Sequence, residues 1–326
     1  MFSVTNNRGF VPQSEQFEDR EMVGEDIQAY KVIEKGDFAY NPARINVGSI
    51  AKYEGNGKCM ISSLYVCFNT IDRIDRDWFM HLLKTPKMNF YYNLNGEGGV
   101  RVYLFYPNFA RIRSSYPSLA EQKKIAAMLS LIDERIATQS KIIEEQETLL
   151  KSLRDKLFNQ WPDSFTQCRI GDILNIGSGK DYQHLSNGDI PVYGTGGLMC
   201  YVNESLYEGE SVCIGRKGTI NKPMYLSGRF WTVDTLFYTH SFNGILPRFC
   251  YHLFCTIDWL TYNEASGVPS LSKSTIEKIQ VSIPQIDIQK RIVKILDSIE
   301  EKINTDSNIL LDYQKQKAYL LSRMFI

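Results

Sequence analysis

The chain has 326 residues, enough for two domains of ordinary size, and 43% of them are hydrophobic, which excludes a disordered chain. Lys plus Arg equals Asp plus Glu at 37 each, so no global field selects a polyanion, and any nucleic-acid face has to be a local patch. Seven cysteines without a regular framework, no basic-then-apolar N-terminus and no apolar run of about 18 residues lead to the expectation of a cytoplasmic protein without a membrane span.

In chain order, strand-like runs come first at Asp37–Tyr40 and Cys59–Phe68. A helical stretch follows at Asp77–Tyr91, then a glycine loop from Gly96 to Arg101. A second region from about Trp161 to Ile283 repeats this plan. It has strand-like Ser211–Ile214 and Trp231–Tyr238, helical Pro247–Tyr262, and a loop from Ala265 to Ser270. Lys35–Gly55 takes the place in the first region that Glu208–Gly228 takes in the second. Mixed strands and helices in this order predict α+β units.

Each region ends in the same long helix. Pro117–Phe158 and Pro284–Phe325 align without a gap, with identical pairs Gln122/Gln289, Ile125/Ile292, Leu129/Leu296, Ile132/Ile299, Ile136/Ile303 and Ser140/Ser307. The first seam is Ile125, Leu129, Ile132, Ile136, Gln139, Ile143, Gln146, Leu150, Leu153, Leu157. The second is Ile292, Leu296, Ile299, Ile303, Asp306, Leu310, Tyr313, Lys317, Leu320, Met324. Steps of four and three alternate throughout, with no Pro or Gly inside, which is coiled-coil spacing over roughly 60 Å of helix. Two narrow apolar seams need partners. Either each helix packs on its own domain, or the two pair antiparallel and hold two globular units apart. The expected fold is therefore α+β, with two globular domains separated by a long antiparallel two-helix coiled coil and a pseudo-two-fold internal repeat. The divisions expected are 1–116, 117–160, 161–283 and 284–326. Polar Gln139, Gln146, Asp306 and Lys317 are candidates for fixing register.

Most motifs that suggest chemistry fail on inspection. Gly177-Ser178-Gly179-Lys180 is not a phosphate loop: a Gly is required where Leu174 stands, and Ser or Thr where Asp181 stands. Tyr40–Arg44 is similar to the Asn-Pro-Pro-aromatic motif of amino-methyltransferases but lacks the second Pro and the aromatic. Cys250, His252 and Cys255, with His240 upstream, do not share one helix face and lack paired-cysteine spacing, so a buried face is expected and no metal. No nucleophile–base pair is apparent. What remains is basic and polar. Val212–Val233 carries Arg216, Lys217, Lys222 and Arg229 without an acid. Phe38–Tyr53 carries Asn41, Arg44, Asn46 and Lys52, also without one. Arg and Lys fork onto guanine, Asn onto adenine, and both cations hold phosphates. Solvated loops have the same composition.

These residues together resemble the specificity subunit of type I restriction–modification enzymes. The repeated Pro, Gln, Ile-x₃-Leu-x₂-Ile and closing Phe carry the likeness. So do Gly188–Gly197, Ile214–Pro223, Gly36–Ala51 and Ser266–Pro284, which look like that family's target-recognition domains. The resemblance implies a non-catalytic subunit without a cofactor of its own. It implies that each domain reads half of a bipartite site on double-stranded DNA. It also implies two modification subunits, which methylate adenine with S-adenosylmethionine, and an ATP-driven restriction subunit. The DNA role is carried to Asn41, Arg44, Asn46 and Lys52 in the first domain. In the second it is carried to Lys180, Tyr182, Arg216, Lys217 and Lys222. One departure stands out: Cys168–Tyr182 opens the second domain as such domains open, and the first domain has no such opening. By this comparison about 25–50 residues are lacking there, supplied by another chain or lost from a truncated, inactive subunit. A coiled-coil scaffold binding protein alone, or a methyltransferase fused to helices, are the alternatives.

Overall fold

The computed structural model describes residues 1–16, 29–99, 102–159 and 165–325. The expected loop at Val100 and Arg101, and Trp161, lie outside these residues. The chain divides into two compact units: residues 1–139 with 309–326, and residues 140–308.

Unit 1 begins with a hairpin of β1 (Phe2–Thr5) and β2 (Gly9–Pro12), followed by a single helical turn, α1 (Gln13–Gln16). Then come β3 (Lys31–Ile33), β4 (Phe38–Tyr40), β5 (Ile50–Lys52), β6 (Cys59–Ile61) and β7 (Val66–Phe68). They form two sheets, β2-β1-β6-β3 and β5-β4-β7. Strand β4 is buried on both faces. Phe38 and Tyr40 enter a core built with Trp78, Leu82 and Leu129, while Ala39 enters a second with Val4, Ile33 and Ile61.

The expected helix at 77–91 is two helices, α2 (Arg76–Leu83) and α3 (Pro86–Asn95). Pro86 has no N–H and cannot continue a helix, but it suits a first position. Thr85 accepts from the Met88 N–H at 3.2 Å and restarts the chain as a cap. The expected strand at Cys59–Phe68 is likewise two strands, β6 and β7. After α4 (Tyr106–Phe109), Ser118 and Glu121 exchange hydrogen bonds as a capping box. That box opens α5 (Leu119–Asn159), 41 residues long.

Unit 2 contains β8 (Thr166–Arg169), α6 (Ile170–Ile173), β9 (Asn175–Ser178), β10 (Asn187–Gly194), β11 (Gly197–Val202), β12 (Tyr207–Glu208) and β13 (Ser211–Gly215). It continues with β14 (Met224–Leu226), β15 (Arg229–Thr232), β16 (Leu236–His240), α7 (Pro247–Phe254), α8 (Lys273–Lys278), β17 (Gln280–Ile283) and α9 (Ile286–Met324). Its sheets are β11-β10-β15-β12, β14-β13-β16-β9 and β17-β8.

The two plans correspond. Both units pair their first hairpin in parallel with a later strand, β1 on β6 and β10 on β15. Both place a central buried strand, β4 or β13, between two antiparallel neighbours. Among the described residues, unit 1 has no counterpart to β8, α6 and β9.

The long helices pair antiparallel within each unit. In unit 1, Lys317 of α9 bonds Asp133 of α5, and Arg135 lies over the Tyr313 ring at 5.9 Å. In unit 2, Gln146 of α5 donates to Asp306 at 2.8 Å and Arg154 bonds Glu300. Every residue of both expected seams is buried or half-buried. Within each unit the helices also join the domain core, so pairing with each other and packing on the domain occur together. Leu129 and Phe325 belong to the core of unit 1, and Leu150, Ile292 and Leu296 to that of unit 2. Leu296 is fully buried, a contribution of about 1.5–3 kcal/mol. The helix ends match as well: Phe158 meets Phe249 at 5.0 Å, and Phe325 meets Trp78 at 5.6 Å.

Candidate nucleic-acid interface

In unit 2 the basic loop between β13 and β14 is shaped by glycine and held by backbone bonds. A Cβ on Gly215 would lie 2.1 Å from the Thr219 carbonyl oxygen, and Gly218 has φ +94°, so neither position tolerates a side chain easily. The Arg216 N–H donates to the Thr235 carbonyl at 2.8 Å, Gly218 N–H to Pro269 at 2.8 Å, and Leu271 N–H back to Arg216 at 2.9 Å. The two recognition-like segments, Ile214–Pro223 and Ser266–Pro284, are thereby fastened together.

They wall a cleft of about 760 Å³. Arg216, Lys217 and Lys273 supply its positive charge, with Ser178, Thr235, Ser270 and Ser272 as hydroxyl groups. Of its two acids, Glu264 is engaged locally. It accepts from Thr275 and from Ser272 Oγ at 2.7 Å, bonds that hold its carboxyl below the ordinary range. Arg216 and Lys217 are exposed. Lys180 is exposed too, on a backbone pinned by Thr232 and by the Trp231 indole, which donates to the Lys180 carbonyl at 2.8 Å. Lys180 and Arg216 thus flank the one turn between β15 and β16. That turn, through Asp234 and Thr235, splits the strand expected at Trp231–Tyr238. Tyr182 and Lys222 are not in this cleft. Tyr182 packs half-buried against the core of Ile190, Val192 and Trp231, and Lys222 is exposed elsewhere on the loop.

The Gly-Lys of residues 179–180 confirms why a phosphate loop fails. Gly177 sits in β9 flat against Tyr238, and a Cβ on Gly179 would lie 1.9 Å from the Val233 carbonyl oxygen. These glycines allow close strand packing and do not form a free loop.

In unit 1, Asn41 shapes its own loop: its Oδ1 accepts from the Ala43 N–H at 3.0 Å and its N–H donates to Ser49. Asn46 donates to Asn93 of α3 at 3.1 Å. Lys52 is held by Glu54 at 2.7 Å and by Asp77, with its side chain 10% exposed. Burial works to lower its pKa, and the hydrogen bonds to Asp77 and Glu54 outweigh that and raise it. Its charge is therefore matched inside the fold. Arg44 is exposed and shares a cleft of about 390 Å³ with Asn6, Asn7 and Arg8, the tip of the β1–β2 hairpin.

That hairpin tip was not singled out by its sequence, and neither was Lys273. The units agree on its place. Gly48, φ +96°, would bring a Cβ to 3.4 Å from Asn6, and Gly218, φ +94°, would bring one to 3.7 Å from Thr195 Oγ1 in the β10–β11 turn. Each unit therefore sets a hairpin tip against a left-handed glycine in a loop that carries an exposed cation. The residues differ: Asn6, Asn7, Arg8 and Arg44 in one, Thr195, Arg216 and Lys217 in the other.

The histidine–cysteine cluster holds no metal site by its donors. His252, Asp297 and Glu300 approach closely, but Arg154 and Arg248 already bond both carboxylates. Arg154 Nε donates to His252 Nδ1 at 3.2 Å, and His252 Nε2 meets Asp297 at 2.7 Å. A neutral imidazole with its proton on Nε2 satisfies both bonds. Burial lowers its pKa accordingly. All seven cysteines are free, and burial pushes the Cys213 thiol up to about 12. No described helix is long and apolar enough to cross a membrane.

Comparison with known proteins agrees with this architecture. Residues 162–312 match the type I restriction modification DNA specificity domain. A Haemophilus influenzae relative described as a type I restriction enzyme specificity subunit is 28% identical over 117 residues, 35% of this chain and 30% of its own. The type I restriction enzyme EcoprrI specificity subunit of Escherichia coli is 24% identical over 179 residues, 48% of this chain and 44% of its own. These matches span less than half the length of either relative. The crystal structure of a type I restriction-modification S subunit from M. genitalium shares the fold with a TM-score of 0.68 at 18% identity, covering 90% of this chain and 84% of that one. Residues 162–312, a little under half of the chain, thus match a type I DNA specificity domain, and the chain shares its fold with a solved type I S subunit.

Proposed function

We propose that the chain is the DNA-recognition subunit of a type I restriction–modification complex. Residues 1–116 and 161–283 are the two readers, and 117–160 and 284–326 the helices that join and space them. The observation that carries this reading is the repeated constellation of hairpin tip, left-handed glycine loop and exposed cation, built twice with different side chains. Arg216, Lys217 and Lys180 serve one half-site, with Lys273 beside them; Arg44 with Asn6, Asn7 and Arg8 serves the other. Arg and Asn suit guanine and adenine edges, and Lys the phosphates. Two modification subunits and a restriction subunit dock on the scaffold, supply methyl transfer and cleavage, and share the grip on phosphates, which suits a chain without net charge.

The test is selection of bound duplexes from a random pool by the chain co-purified with its modification subunit. The expected consensus has two blocks at a fixed gap, and Arg216→Ala degrades one block alone. An unenriched pool, or equal loss across both blocks, contradicts the reading.

A further inference from the structure

The β10–β11 hairpin of unit 2 differs in kind from the cation-bearing loops beside it. Ile190–Val202 contains no charged side chain. On its second strand Val202 is buried and Cys200 half-buried against the core of Ile190, Val192 and Trp231, while Leu198, Met199 and Tyr201 are exposed.

The register explains this exposure. Cys200 stands opposite Val192, and Leu198 opposite Tyr193. One step along β10 is thus matched by two along β11, and Met199 is the extra residue of a bulge. Such a residue has no cross-strand partner, and the bulge re-aims its side chain. Here the thioether lies back over the hairpin tip. A Cβ on Gly194 would lie 2.7 Å from Met199 Sδ and 3.5 Å from Val233 Cγ2, so only a glycine leaves that seat open. Met199 remains 54% exposed.

This side chain borders the basic cleft. Val233 leads into the turn whose Asp234 carbonyl accepts from Arg216 Nη1 at 3.4 Å. At the same tip, Thr195 stands against Gly218, next to Lys217. Phosphates are held by cations and hydrogen-bond donors, and the Met199 side chain is neither. The apolar feature that a duplex displays in its major groove is the 5-methyl group of thymine. An unbranched thioether adapts readily to such a contact.

We infer that Met199 is a specificity-determining residue, packing on the 5-methyl group of a thymine in the half-site that Arg216 serves. Gly194 and the bulge position it. The inference rests on the proposed DNA reading and adds to it a base contact made without a hydrogen bond.

The test uses the chain co-purified with a type I modification subunit and the duplex it selects. Each thymine is replaced in turn by deoxyuridine, which lacks only that methyl group. Fluorescence anisotropy should show binding weakened about fourfold at one thymine, the worth of one buried methyl group, within the block that Arg216→Ala degrades. Met199→Ser should bind the thymine and deoxyuridine duplexes equally, and Met199→Leu should keep the preference. The scan of the parent chain needs no variant to fold. Indifference to deoxyuridine throughout that block, a block without thymine, or a Met199→Ser chain that still prefers thymine would overturn the inference and leave the DNA reading in place. Binding without sequence preference would overturn both.

Discussion

Gln122 and Gln289 make the same three hydrogen bonds at the starts of the two long helices. Gln122 accepts from Asp75 N–H at 2.8 Å and donates to Arg73 and Pro117 carbonyls. Gln289 accepts from Leu246 N–H at 2.8 Å and donates to Gly244 and Pro284 carbonyls. Both are fully buried. Each amide ties the entry of its helix to the loop before the domain helix, α2 or α7, so helix and domain keep one geometry.

Gln289→Ala should therefore cost about 1–3 kcal/mol, because it strands a buried N–H and two carbonyls. Gln289→Glu should cost more, since a carboxylate cannot donate to Gly244 and Pro284. Urea unfolding followed by circular dichroism checks both, and a neutral Glu variant would show that the amide is not the tie described.

Stability should fall on acidification, in part through His252. Burial holds its folded pKa below the ordinary 6.5, against the opposing pull of Asp297 and Glu300. The unfolded chain then binds the proton more readily, so this contribution is complete above 6.5 and drains as pH falls through the folded value. His81 and His240 are lowered by burial as well, so the effect is a difference between proteins. Melting curves of the parent and His252→Gln between pH 8 and 5 should converge toward low pH; parallel curves would contradict the assignment.

Two lysines of the sequence reading should behave oppositely. Lys52→Met removes the partner of Asp77 and Glu54 and should lower stability by about 1 kcal/mol without changing the salt dependence of DNA binding. Lys180→Met should leave stability unchanged and reduce the slope of log affinity against log salt by about 1. Fluorescence anisotropy over a salt series separates them.

Gly179→Ala should disrupt unit 2, because its Cβ would meet the Val233 carbonyl oxygen at 1.9 Å, and backbone cannot move aside cheaply. A loss of about 2 kcal/mol or more is expected, with the turn at Asp234 displaced and the cleft at Arg216 deformed. Differential scanning calorimetry of the variant checks this.

Much of the helical scaffold was legible because its signal is local and repeats. Ile125, Leu129 and Ile132 step by four and three, and so do Ile292, Leu296 and Ile299. The interface was less legible because its parts meet across long separations. Lys52 sits in an acid-free stretch, yet Asp77, far along the chain, binds it. Asn6–Arg8 precede every basic motif and reach Arg44 only through the β1–β2 hairpin. Asn41 has the residue type of a base reader, but its side chain closes a turn. The role of Gln122 was hidden for a related reason: an identical pair with Gln289 marks a repeat, and only the fold shows three bonds made twice.

Expressing the chain with a type I modification subunit and mapping methylated adenines across a genome tests the proposed recognition role most directly. One bipartite motif is expected, its halves separated by a fixed gap of about one turn of DNA, with Arg216→Ala and Arg44→Ala each relaxing a different half. A stable complex that methylates nothing, or a motif of one undivided block, would contradict it.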